Sequence, residues 1–249
     1  MVLNIPIYVE IIIDRLEEKG FDAYIVGGSV RDILIGRDPS DFDVTTDALP
    51  EEIEEIFKDF TTLEVGKKFG TVVVVQDEGI VEVTTFRADG EYIDGRRPEK
   101  VYFSKNILDD LSRRDFTINA MAYNKKIGVI DYFNGKEDLE KKTIRAVGNP
   151  HERMREDYLR IMRAIRFAAQ LEFSIDDSTF ESCKLYSEHI ATISIERIRE
   201  EFFKILLSKT PSYGIRLMKD TGILDIILPE MIKAIGFDQH NPHHNKDVL

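Results

Sequence analysis

Cysteine occurs once in the 249 residues, as Cys183. No internal disulfide can therefore form, which suits a reducing compartment. No apolar run approaches the roughly 20 residues that a membrane-spanning helix requires. The opening stretch MVLNIPIYVEIIIDRLEEKG carries acids and lacks a small-residue cleavage pattern, so it does not read as a secretory signal. Low-complexity tracts and internal repeats are also missing. Basic charge is in short supply, with 34 Lys and Arg against 46 Asp and Glu for a formal net charge of −12. That counts against a uniformly basic nucleic-acid binder, although a local basic path can sit on an acidic molecule. These absences together predict a soluble, cytoplasmic protein with no membrane partner.

What is present suffices for a packed core, since 43% of the residues are hydrophobic. The length allows one large domain or two modest ones. The arginines cluster, as Arg96, Arg97, Arg113 and Arg114, and again as Arg153, Arg155, Arg160, Arg163 and Arg166. Amphipathic spacing predicts a helix over 5–19, with Pro6 near its start and Gly20 as its stop. DAYIV (22–26) reads as a buried strand, VRDILIG as a short helix ending at Gly36, and DFDVTT (41–46) as an alternating strand. A helix over 49–60 with Pro50 in its first turn follows, then strands over 71–76 and 80–86 joined at Asp77-Glu78-Gly79. Residues 87–100 read as a long polar loop, and strand signals end near GVIDYF (128–133). Beyond about residue 143 the pattern is helical throughout, over 156–171, 176–190, 195–208 and 211–219. This is an α+β arrangement: a mixed-sheet head, then an all-α remainder.

The Gly28-Ser29 junction closes a strand and opens a helix, where backbone N–H groups can meet a phosphate and glycine permits close approach. Asp41 and Asp43 fall on one face of a strand, with Phe42 and Val44 on the core face. Two adjacent carboxylates repel unless a cation lies between them, and Mg²⁺ shares one or two carboxylates with substrate phosphates. Glu82, on a later strand, offers a third. Each feature alone is commonplace: most Asp-x-Asp pairs are solvated, and an isolated strand Glu usually faces solvent. Combined in this order, they resemble the Gly-Ser…Asp-x-Asp signature of the DNA polymerase beta-like nucleotidyltransferases.

The stretch YIVGGSVRDILIGRDPSDFDVTTDALPEEI (24–53) resembles the opening motif of the class II tRNA nucleotidyltransferases and the related bacterial poly(A) polymerases. RRDFTINAMAYN (113–124) is similar to their ribose-recognition motif, and ADGEYIDGRRPEKV (88–101) to the flexible loop linked to switching from CTP to ATP. EDYLRIMRAIRFAAQLEF (156–173) resembles the nucleobase-recognition motif and ISIERIREEFFKIL (193–206) the helix-bracing motif. The resemblance implies a head domain over 1–142, a helical neck over 143–207 and the start of a helical body over 208–249. It also implies addition of C, C and A to a tRNA 3′ end from CTP and ATP, with two Mg²⁺ ions. Asp41 and Asp43 would be the metal ligands, with Glu82 as a third catalytic carboxylate. Gly28, Ser29 and Arg31 would hold the nucleotide, and Arg114 and Asp115 would read its ribose. Asn119 would either join them or merely brace its helix.

Taken as helical neighbours three apart, Asp157 and Arg160 share a face. Asp157 accepting an exocyclic amine and Arg160 donating to a ring nitrogen suit cytosine and adenine alike. Uracil and guanine present a carbonyl and a ring N–H there and are repelled. Arg163 and Arg166 continue the same face, either as nucleotide contacts or as a solvated basic surface. Glu196 and Arg197 read as structural.

Rival readings are an enzyme that adds only A, a poly(A) polymerase, or an inactive RNA-binding module. The region EVGKKFGTVVVV (64–75) lacks the basic Arg-Arg-Phe-Arg segment typical of poly(A) polymerases. Enzymes that add only CC tend to lack the flexible loop kept here, and an inactive module would have lost the carboxylates. His240, His243, His244 and Asp247 read as a solvated tail, and the sequence is expected to be part of a longer chain.

Overall fold

A computed structural model describes residues 3–63, 69–90 and 101–236. They fall into two compact units, one running up to Lys141 and the other beginning at Lys142.

The first unit opens with helix α1 (Ile7–Glu18), which buries Val9, Ile12, Ile13 and Leu16, spaced as one helical face requires. Gly20, at φ +88°, turns the chain out of it. Strand β1 (Ala23–Val26) is buried along its whole length, and helix α2 (Gly28–Leu34) follows directly. Then come β2 (Asp43–Thr46), helix α3 (Pro50–Ile56), and strands β3 (Thr61–Leu63), β4 (Thr71–Gln76) and β5 (Gly79–Thr85). Short strands β6 (Arg87–Asp89) and β7 (Val101–Phe103) precede helix α4 (Ile107–Ser112) and a 3₁₀ turn over Thr117–Asn119. Strands β8 (Met121–Asn124) and β9 (Gly128–Asp131) and helix α5 (Gly135–Glu140) complete the unit.

Among the described residues the main sheet has seven strands in the order β3-β4-β5-β2-β1-β8-β9. It is mixed: β2 runs parallel to β5, while the other neighbouring pairs are antiparallel. The β-branched run of β4 suits a strand covered on both faces, and Val72, Val73 and Val74 are all buried. Tyr24, Val26, Phe86, Leu111 and Ala122 form a core cluster beside the sheet.

The second unit begins with β10 (Thr143–Ile144), followed by helices α6 (Pro150–Glu156) and α7 (Leu159–Leu171). Strand β11 (Ser174–Ile175), helix α8 (Asp177–Leu185) and a 3₁₀ segment over Ser187–Thr192 come next. Helices α9 (Ile195–Leu206), α10 (Pro211–Asp220), α11 (Ile223–Ile227) and α12 (Pro229–Ile232) end it. α7 is buried nearly all round, and α9 and α10 pack against it. At Gly214 of α10 a Cβ would overlap Ile205 of α9 and press on Ala169 of α7, so glycine sets how closely these helices approach.

Four expectations need correction. Part of the polar loop is a strand pair, since Arg87–Asp89 lies antiparallel to Val101–Phe103; residues 91–100 lie outside the described residues. The second unit is not wholly helical, because β10 and β11 pair in parallel through Thr143↔Ser174 and Ile144↔Ile175. The helix expected over 49–60 ends at Ile56, where Phe57 turns into the core. Finally, the helix expected over 156–171 breaks at Asp157, whose backbone is extended (φ −146°, ψ 105°).

Candidate active site

In the first unit the chain leaves β1 through Gly27, whose φ of +80° and ψ of −130° suit only glycine. The Arg114 guanidinium approaches this turn so closely that a Cβ on Gly27 would lie 2.8 Å from its Nη1. Gly28 opens α2, and the buried Ser29 donates from Oγ to Val26 O at 3.3 Å.

One strand away, Phe42 and Val44 enter the core while Asp41 and Asp43 are exposed, the alternation expected of a strand edge. Parallel pairing of β2 with β5 sets Asp43 beside Glu82, also exposed between buried Val81 and Val83. Although Asp43 is exposed, the protein around it partly desolvates its carboxyl and so raises its pKa; the Arg114 charge lowers it, and the charges of Glu82 and Asp41 raise it, leaving it pushed up to about 6. Among the described residues no three His, Cys, Asp or Glu gather closely enough to hold a metal ion by themselves. Asp41 and Asp43 make a pair of hard oxygen donors that substrate phosphates could complete, which fits Mg²⁺. Glu82 lies across from Asp43 in the strand register, and its charge adds to the field on Asp43.

Arg114 is held from behind. Asp110, fully buried on α4, accepts from Arg114 Nη2 at 3.2 Å and from Arg113 Nη2 and Nε at 2.6 and 3.1 Å. Burial alone would raise the Asp110 pKa, but the two guanidinium charges and their hydrogen bonds hold it below the usual aspartate range. Arg114 Nε is buried with no hydrogen-bond partner. The sequence reading missed Asp110, although its spacing of three and four residues from Arg113 and Arg114 on a short helix was the available signal.

Asp115 is buried and accepts at Oδ1 from Phe116 N at 2.8 Å and from Asn119 Nδ2 at 3.0 Å. Asn119 Oδ1 accepts from Arg31 Nη1 at 2.6 Å, and Arg31 donates two bonds of 2.9 Å to the Asp32 carboxylate. Asn119 therefore braces this turn, linking Asp115 to a buried Arg31.

In the second unit, Asp157 is not a helical neighbour of Arg160. It sits between α6 and α7, where its Oδ1 accepts from Leu159 N at 3.1 Å and its backbone carbonyl from Arg160 N at 2.9 Å. A short carboxylate that bonds nearby backbone N–H groups favours such a helix start over a helix interior. Its Oδ2 accepts from Arg197 Nη2 of α9 at 2.9 Å, and Arg197 Nη1 is buried without a partner. Arg160 is buried, donating to Arg153 O at 2.8 Å and to the Glu156 carboxylate.

Arg166 is buried as well, ion-paired with Glu201 of α9, bonded to Gln170 at 2.9 Å and placed 3.9 Å over the Phe167 ring. Arg163, half-buried, lies 5.4 Å over the same ring. The partners Glu156 and Gln170 stand four residues from Arg160 and Arg166, a spacing visible in the sequence. Glu201 is 35 residues from Arg166, and nothing local marks it.

Residues 23–145 match the family model described as the poly A polymerase head domain. Residues 172–235 match the model described as a probable RNA and SrmB-binding site of polymerase A. The CCA-adding enzyme of Ligilactobacillus salivarius is 47% identical over 212 residues, covering 85% of this chain and 52% of that protein. That of Staphylococcus haemolyticus is 47% identical over 216 residues, covering 87% and 54%. Among solved structures, the Bacillus stearothermophilus CCA-adding enzyme in complex with CTP superposes with a TM-score of 0.78 at 42% identity, covering 85% of this chain and 51% of that one. The Thermotoga maritima enzyme complexed with tRNA gives 0.77 at 28% identity, covering 91% and 54%. The chain thus spans about half the length of the relatives it matches. By sequence across both units and by fold, the chain belongs to the family of tRNA nucleotidyltransferases and poly(A) polymerases.

Proposed function

We propose that this chain carries the nucleotide-adding centre of an enzyme that completes tRNA 3′ ends with C, C and A, using CTP and ATP. The observation that carries this reading is the exposed Asp41–Asp43 pair set beside Glu82 and faced by the Arg114 charge. The division into a head over 1–142, a neck over 143–207 and the start of a body over 208–249 belongs to the same reading.

Asp41 and Asp43 would hold divalent cations, Mg²⁺ by their hard oxygen donors, which supply charge neutralisation at the triphosphate and a lowered pKa for the attacking hydroxyl. The RNA 3′-hydroxyl oxygen bonds to the α-phosphorus of the nucleotide as the bond to the pyrophosphate oxygen breaks, and pyrophosphate leaves. The side chains' contribution is positioning and charge. Gly28 and Ser29 admit the phosphates against the backbone. Arg114 and Asp115 meet the ribose, with Arg114 anchored on Asp110. Arg31, bonded to Asn119 and Asp32, steadies that turn.

Asp157 reads the exocyclic amine of cytosine or adenine and Arg160 the adjoining ring nitrogen, an acceptor and a donor that uracil and guanine cannot satisfy. Arg163 and Arg166 lie further along α7. The Glu201 pair makes Arg166 a brace for the reading helix, with Arg163 the better placed of the two for the nucleotide because it is the more exposed.

The test is incubation of the chain with Mg²⁺, a tRNA transcript lacking its terminal CCA, and CTP, ATP, UTP or GTP, singly and with CTP and ATP together. Addition of C, C and A and exclusion of UTP and GTP are expected. Growth of a long A tail, or addition of A only to RNA already ending in CC, would assign the chain to the other branches of its family.

A further inference from the structure

Four rings gather on the second unit: His151 of α6, Tyr158 at the start of α7 and next to Asp157 in the chain, and Tyr186 and His189 after α8. Tyr158 and His189 are stacked, with ring centroids 4.5 Å apart and planes within 10°. Tyr186 lies 6.4 Å from Tyr158 and 6.2 Å from His189, tilted 39° to both. His151 meets Tyr186 edge-on at 6.1 Å, and its Nδ1 lies 3.2 Å from Ser182 Oγ.

The backbone beneath is fixed, since Tyr186 N donates to Ser182 O at 3.2 Å and His189 N to Tyr186 O at 3.1 Å. The tyrosines are half-buried, whereas His189 is exposed. Among the described residues, no hydrogen bond or ion pair engages the His189 ring nitrogens. The stack therefore ends on an imidazole presented to solvent.

We propose that the Tyr158–His189 stack is a platform on which an unpaired base of the RNA substrate stacks, a proposal that rests on the RNA-directed reading above. Every nucleobase has a π-face, so such a platform grips a single strand without reading its sequence. His189 of the stack and the adjoining Tyr186 lie inside the span 172–235 that matches a probable RNA-binding region. The net charge of −12 also gives stacking a physical advantage, because it gains affinity without adding cations. Close to these rings in the sequence the exposed charges are mixed, with Arg155 and Lys184 against Glu152, Glu181 and Glu188, which suits a base better than a run of phosphates.

The experiment uses the whole chain and a tRNA transcript lacking its 3′-terminal CCA, with affinity followed by fluorescence anisotropy across a salt series. His189→Ala is expected to weaken RNA binding about five- to a hundredfold. It should leave the slope of log affinity against log salt unchanged, because no phosphate contact is lost. His189→Phe, which keeps an aromatic face, is expected to restore binding. CTP binding, measured separately, should be the same in all three proteins, and matched thermal melts report folding. Unchanged RNA affinity in His189→Ala, failure of His189→Phe to restore binding, or a change in salt slope would overturn the platform. An unmutated chain that binds CTP but no RNA would overturn it too while leaving nucleotide recognition standing; a chain that binds neither would overturn both.

Discussion

Desolvation raises the Asp43 pKa, Arg114 opposes the rise, and Glu82 and Asp41 add to it, so that the group is pushed up to about 6 from the usual 3.8. Between those values the folded chain holds a proton that the unfolded chain has released, so stability falls as pH rises through that window. Asp43→Asn removes the cost, and the metal-free variant should melt at a higher temperature than the parent at pH 7.5. That gain should vanish by pH 4. The same change should slow nucleotide incorporation at least about a thousandfold. Melts at the two pH values together with an incorporation assay check both halves; a lower melting temperature at pH 7.5 would refute the account of strain at Asp43. Asp157→Ala should act differently, relaxing discrimination against UTP and GTP by about tenfold or more while preserving the dependence on metal. Single-nucleotide incorporation with each of the four triphosphates measures it, and full retention of selectivity would remove Asp157 from base reading.

At the scale of elements, the strands were legible where alternation and β-branching coincide: the TVVVVQ run of β4 and the Phe42–Val44 alternation both read correctly. The exposure of Asp41 and Asp43 on either side of buried Phe42 was legible for the same reason, although β2 itself begins only at Asp43. The break at Asp157 was not, because an Asp inside a long helical pattern gives no sign of whether it will continue the helix or cap the next one. The Glu201 partner of Arg166 and the Arg197 partner of Asp157 were hidden too, since both depend on how α9 docks on α7. The pairing of β6 with β7 spans a polar stretch whose composition reads as loop. Gly214 belongs to this packing level. An alanine there would ordinarily favour a helix, yet its Cβ would overlap Ile205. Gly214→Ala is therefore expected to destabilise the chain by about 1–3 kcal/mol, as overpacking does. Urea melts of the two proteins decide it, and an unchanged midpoint would mean that α9 and α10 can part without cost.

For the molecule as a whole, the excess of acidic charge disfavours the compact state and makes bound cations stabilising. On the proposed reading Mg²⁺ with CTP binds the folded form alone, so at a hundredfold above the dissociation constant it should add about 2.7 kcal/mol of stability. For a chain of this size that corresponds to a rise in melting temperature of about 5–11 °C. The rise should be absent in Asp43→Asn and when an excess of chelator removes the Mg²⁺, and differential scanning fluorimetry reads both. Among the described residues no helix is long and apolar enough to cross a membrane.

The two charge pairs between α9 and the α7 region have opposite polarity: Arg197 reaches Asp157, and Glu201, one turn further on, reaches Arg166. If α9 slipped by one turn, either Arg197 would face Arg166 or Glu201 would face Asp157, and both encounters are between like charges. The joint is thus keyed like a plug with unlike pins, and it seats in one register. Asp157 therefore occupies a single setting along α9 rather than a graded series of them.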